Sequence, residues 1–195
     1  EEILLTGLRV EYARQSRVVL ERPGHLRVDN DSDKGRRSYY FDAKTLTVYD
    51  PGAGIYSAFA APSSIDTMID AVEARGIVIP ASDLMRNHPC QALGEHLQTG
   101  VYAGRHYLDG NWYHHLLLTT DAVEVQLWVA EGEAAEIRKL VITYLDLPGQ
   151  PQYRALFSDW DFAPAIDGST FVFTPPAGSR MVAFQGADAA QGGEK

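Results

Sequence analysis

The chain has 195 residues, 45% apolar and 22% charged, a globular composition that excludes collagen, coiled coil and wholesale disorder. Its 17 basic against 26 acidic residues leave a net charge of -9, which argues against binding to nucleic acid or to an anionic membrane surface. No apolar run approaches the ~20 residues of a membrane-spanning helix, and the one cysteine, Cys90, allows no internal disulfide and reads as a buried small hydrophobe.

A short strand followed by a turn signal recurs roughly every 8–12 residues, the pattern of an antiparallel sheet or barrel. Residues 3–12, with Leu4, Leu8, Val10 and Tyr12, read as the first strand. Residues 16–21 follow, and Arg22-Pro23-Gly24 turns the chain into a strand over 25–30. Lys34, Arg36 and Arg37 lie among Asp29, Asp31 and Asp33 and read as a solvated turn. Strands are expected at 38–42, 45–50 and 54–60, with Asp50-Pro51-Gly52 breaking the second from the third.

The period then changes. Ile65, Met68, Ile69 and Val72 follow Pro62-Ser63-Ser64 at helical spacing, which predicts an amphipathic helix with a serine cap, ending near Gly76. A second helix is expected after Pro80, with Ser82 as its cap and Leu84 and Met85 inward. A short third is expected over 91–97. Strands return at 101–108 and 111–119 around Asp109-Gly110, a strong hairpin signal, then at 123–129, 137–145, 152–162 and 170–173, and near 180–184. Residues 185–195 lack apolar periodicity and read as a disordered tail. The expected fold class is α+β, mainly β. It is a single domain over 1–184, an incomplete antiparallel β-barrel of about eleven strands covered by two or three helices inserted mid-chain.

Catalytic signals are weak. Neighbouring strand residues face opposite ways, so His114 and His115 cannot serve one metal. Across a two-residue loop, His106 faces Tyr113 and His114 faces Arg105, and neither pair is a ligand set. His25, His88 and His96 stand in no metal-binding spacing. Alternation within a strand over 158–162 places the carboxylates of Asp159 and Asp161 on one face, about 7 Å apart. Glycosidases bring their pair from opposite sides of a sugar, so this pair reads as a solvent face behind a core Trp160. No GxSxG occurs, and Gly52-Ala53-Gly54 lacks the Lys-Ser/Thr of a phosphate loop. No catalytic residue, metal or cofactor is assigned.

The abundant signal is aromatic: ten Tyr, seven Phe and three Trp, many on predicted strands. From pattern alone these residues make an ordinary packed core or the lining of an apolar cavity.

The stretch Tyr39–Pro51 (YYFDAKTLTVYDP) resembles the "(Y)YDGKTLTLYDP" segment of a bacterial family of predicted periplasmic proteins, domain of unknown function 2092. Arg138–Tyr144, Gln152–Phe162 with Ala163-Pro164, and Phe171–Gly178 are similar to it as well, in the same order. That family is similar in turn to the LolA/LolB lipoprotein-carrier superfamily, where Arg-Pro-Gly before a strand and a "DGKTLWLYDP"-like hairpin recur. Here those are Arg22-Pro23-Gly24 and Asp42–Pro51. Ala43 stands where the family has glycine, so this turn is expected to do without a positive φ. The chain also opens on a strand where the carriers open on a helix.

The resemblance implies a periplasmic location, a half-barrel of about eleven strands closed by helices, an interior that holds acyl chains, and no catalytic residues. The cavity lining expected here is Tyr40, Leu46, Val48, Ile55 and Phe59 from the first strands, and Ile65, Met68, Ile69, Leu84 and Met85 from the helices. Trp112, Trp128, Leu140, Ile142 and Trp160 are expected from the later strands. The expected activity is a non-enzymatic carrier of a lipid, a lipoprotein acyl chain or another hydrophobic molecule. Two readings stand beside it: an envelope chaperone with a packed interior that docks another protein, and a hydrolase using Asp159, Asp161 or a histidine.

Overall fold

In a computed structural model that describes residues 1–184, the first strands are β1 (Glu2–Ile3), β2 (Arg9–Val10), β3 (Arg14–Glu21), β4 (His25–Ser32), β5 (Arg37–Asp42), β6 (Thr45–Asp50) and β7 (Ile55–Ala60). Helices α1 (Ile65–Glu73), α2 (Ser82–Met85) and α3 (Pro89–Gly94) follow. Then come β8 (Thr99–Leu108), β9 (Asn111–Thr119), β10 (Val123–Ala130), β11 (Ile137–Tyr144) and β12 (Gln152–Leu156). A 3-10 turn over Gly168–Phe171 and β13 (Arg180–Met181) complete the order. Strands hold 43% of the described residues and helices 12%, so the fold is mainly β. The tail expected at 185–195 lies outside the described residues.

Two compact units divide the chain. One takes Tyr12–Cys90 and the chain from Ala165; the other takes Glu1–Glu11 with Gln91–Pro164. The former holds a six-stranded sheet in the order β13-β7-β6-β5-β4-β3. Its period-two pattern lines up Leu20, Leu26, Phe41, Leu46 and Phe59 as successive cross-strand partners on one face. Helix α1 packs Ile65, Met68, Ile69 and Val72 against Leu26, Phe41 and Leu46. Ser64 caps the helix as expected, its hydroxyl accepting from the Thr67 backbone N–H at 3.2 Å.

Ser82 is not a cap. Ala81 holds that position, at φ 61°, while the Ser82 hydroxyl donates to Glu73 Oε1 at 3.2 Å. A carboxylate on α1 thus takes the hydroxyl that would otherwise have bonded the backbone. On the opposite face of this sheet the ring of Phe173 packs 5.2–5.3 Å from Tyr40, Tyr49 and Tyr56. The strand expected over 170–173 is instead the 3-10 turn. Asp167 accepts from the Ser169 N–H at 2.8 Å and winds the chain there.

The Asp42–Thr45 hairpin loop also departs from expectation. Ala43 takes φ 66° although it is not glycine. Asp42 Oδ1 accepts from both Lys44 N–H (3.1 Å) and Thr45 N–H (2.8 Å), and these bonds hold the left-handed turn against a cost of roughly 1–2 kcal/mol.

The other unit holds an antiparallel five-stranded sheet, β12-β11-β10-β9-β8. Asp109 (φ 50°) and Gly110 (φ 86°) make the two-residue loop between β8 and β9, as their sequence predicts. The first strand expected over 3–12 is broken into β1 and β2 by a turn at Gly7, whose φ is 80°. Strand β12 stops at Leu156, six residues short of the expected end.

The described strands fall into separate sheets. Among the described residues no ladder joins β7 to β8, and the sheets do not close into a barrel. The helical segment interrupts the meander, and β7 takes β13 as its outer neighbour, in parallel.

Candidate functional site

The five-stranded sheet has one face that is apolar across several strands. Register places Tyr107 opposite Trp112, Tyr102 opposite Leu116, Leu116 opposite Leu127 and Leu118 opposite Val125. Leu127 is opposite Leu140, and Val125 opposite Ile142, on the same face. Exposure is graded along it. Leu127, Leu140 and Ile142 are buried, whereas Trp112 is 52%, Tyr102 55% and Tyr107 63% exposed. The open end carries polar handles: the Tyr102 hydroxyl bonds His114 Nδ1 at 3.0 Å, and the Arg105 guanidinium lies 5.5 Å from the Trp112 ring centre. Tyr107 and Trp112 meet edge to face at 5.5 Å.

The opposite face carries a polar cluster of His106, His115 and Gln126. His115 is buried, with His106 on one side and Gln126 on the other. The Trp128 ring stacks on it at 4.1 Å, and Lys139 Nζ lies 4.6 Å from the Trp128 ring centre. Burial, then the nearby His106 and Lys139, hold the His115 pKa below its ordinary 6.5, against a bond to Gln126 that favours the charged ring. The unfolded chain therefore binds this proton more readily. The stability His115 contributes is complete above about pH 6.5 and is lost as the pH falls towards the folded-state value. Urea midpoints of the wild type should fall from neutral pH towards pH ~5, and His115→Gln should flatten that decline. An equal slope in both would show that His115 does not set it.

The expected cavity residues separate. Trp112, Leu140 and Ile142 share the apolar face of the five-stranded sheet, and Trp128 lies on its other side. Leu46, Ile65, Met68 and Ile69 are 0–5% exposed in the core of the six-stranded unit, with Phe59 and Met85 packed against it. Val48 and Ile55 share the sheet face of Leu46, Leu84 lies on α2, and Tyr40 points to the other face.

Trp160 lies beyond β12 in irregular chain, 40% exposed, stacked between Phe157 and Phe162 with its indole N–H donating to the Ile137 carbonyl at 3.0 Å. With Asp109, Tyr113, Glu136 and Arg138 it lines a cleft of about 280 Å³. Strand alternation fails at Asp159, which has φ 57°. Asp159 accepts from the Ser158 hydroxyl at 2.8 Å and Asp161 from the Ala163 N–H at 3.0 Å, so both carboxylates bond within their own loop. Cys90 is exposed at the start of α3, not buried. In the charged turn, Arg37 lies 3.9 Å from Asp50 and Lys34 sits 4.0 Å from the Tyr12 ring centre. Among the described residues, no three His, Cys, Asp or Glu come together to hold a metal.

Tyr102 and Tyr107 were absent from the expected lining. The Asp109-Gly110 loop sets Tyr107 opposite Trp112, and period two follows from it, so Tyr107 was legible. Tyr102 was not, because a bulge between Tyr102 and Gly104 shifts the register.

No curated protein matches the chain. The model of one family matches almost all of it, residues 1–185, and the protein belongs to that family, described as predicted periplasmic protein, domain of unknown function 2092.

Proposed function

We propose that this periplasmic protein is a non-enzymatic binding protein that shelters a lipid acyl chain or a similar hydrophobic ligand. The observation that carries the reading is the apolar sheet face that runs from buried Leu127, Leu140 and Ile142 to the open Tyr102, Tyr107 and Trp112. Exposed apolar residues scattered singly need no explanation, whereas a contiguous set does. Each buried methylene stabilises by ~0.8 kcal/mol, so a chain of about twelve contributes on the order of 10 kcal/mol before ordering costs. The LolA-like half-barrel is part of the same proposal and rests on the sequence resemblance alone. A second reading follows from β8, a ten-residue strand at the edge of its sheet, where an envelope protein could add a strand of its own.

Protein purified without detergent from its native compartment should yield, on organic extraction and mass spectrometry, a lipid at about one equivalent. A fatty acid brominated along its chain should quench tryptophan fluorescence, and Trp112→Phe should remove most of the quenching. An empty extract together with unquenched Trp112 would sink the carrier reading. A stoichiometric protein partner recovered from envelope extract would then favour the second.

A further inference from the structure

His115 Nδ1 lies 3.0 Å from His106 Nδ1, and His115 Nε2 lies 3.2 Å from Gln126 Oε1. An amide oxygen only accepts, so Nε2 of His115 carries that ring's proton and Nδ1 presents a bare lone pair. The hydrogen between the rings therefore belongs to His106, an exposed residue on edge strand β8, and this bond ties β8 to β9.

The pair can take one extra proton without losing a bond, at His106 Nε2. A second proton has one place to go, His115 Nδ1. It removes the acceptor, sets two charged rings with nitrogens 3.0 Å apart, and adds charge to a side chain that is 6% exposed. The titratable and charged groups on this side of the sheet are His106 from β8, Tyr113 from β9, Glu124 from β10, Lys139 from β11 and Arg154 from β12. Gln126 and Trp128 of β10 are neutral, and Glu124 lies two same-face positions beyond Trp128, past Gln126. The nearest fixed charge is thus a cation, which opposes the second proton.

We infer that the His106–His115 bond is an acid-sensitive latch, which holds edge strand β8 to its sheet and lets go when both rings are charged. The latch stands without the ligand reading. If that reading holds, release of β8 also loosens Tyr102 and Tyr107, which that strand contributes to the apolar face.

Amide hydrogen exchange, corrected for intrinsic rates, tests it on the full chain at about pH 7.5 and about pH 5. The β8 amides bonded to β9 should lose protection on acidification by about tenfold or more beyond any loss at β10 and β11. His106→Gln is an exposed substitution. Its amide can donate to the neutral His115 ring or turn its oxygen to the protonated one, so the acid-induced loss at β8 should disappear. Unchanged β8 protection in the wild type would overturn the latch. So would the same acid loss in His106→Gln, or a loss spread evenly over all strands.

Discussion

Replacing Phe41 by alanine is expected to lower folding stability by about 3–5 kcal/mol. Phe41 is fully buried, at 0% exposure, between Leu26 and Leu46 on neighbouring strands. Ile65 and Ile69 of α1, also at 0%, belong to the same cluster. Truncation therefore removes the whole ring from a position walled by two strands and a helix. These walls cannot all collapse inward, so the cost of the cavity adds to the lost transfer free energy. Urea unfolding followed by circular dichroism measures it. A loss under ~1 kcal/mol would mean that α1 does not rest on this sheet in solution. Tyr40, next in sequence, points to the other face, so Tyr40→Ala should leave the α1 contact intact.

The second large effect is expected at Arg86, whose side chain is 19% exposed. Its guanidinium lies 2.8 Å from Asp70 and 3.5 Å from Glu73 on α1, and 3.7 Å from Asp83 on α2. Desolvation alone would lower its pKa, but the bond to Asp70 and the surrounding carboxylates raise it. Arg86→Ala leaves three carboxylates facing one another across two helices with no cation between them. We expect a loss of about 1–3 kcal/mol in urea unfolding, most of it from the partners left behind. Arg86→Lys should recover only part of it, because one ammonium cannot reach three acceptors as a planar fork does. A double-mutant cycle with Asp70→Asn should show coupling of about 0.5–1 kcal/mol, modest because Asp70 is 61% exposed. Full recovery by lysine would reduce the site to net charge.

Much of the fold was legible in local pattern. Ser64 before Ile65, Met68, Ile69 and Val72 marks both the start and the buried face of α1. Asp109-Gly110 sets the β8–β9 register from which the Tyr107–Trp112 pair follows. The errors fall where a side chain acts on the backbone next to it. Asp159 and Asp161 read as alternating strand residues because period two cannot register a carboxylate that bonds its own loop. Asp167 likewise turned an expected strand into a 3-10 turn. The apolar face was half visible: Trp112, Leu140 and Ile142 were in the expected lining, whereas Tyr102 lay behind a bulge.

By itself the sequence determined the mainly β class, the single helical interruption, the β8–β9 register next to its loop and the family, because each depends on residues close along the chain or on a contiguous motif. Only the tertiary structure decided the partition of the strands into separate sheets, the parallel pairing of β13 with β7, and the meeting of His106 with His115. Strand neighbours distant in sequence are chosen by which apolar faces can be buried together. That choice depends on packing and on a bulge displacing one strand against another, and neither leaves a periodic trace in the residues themselves.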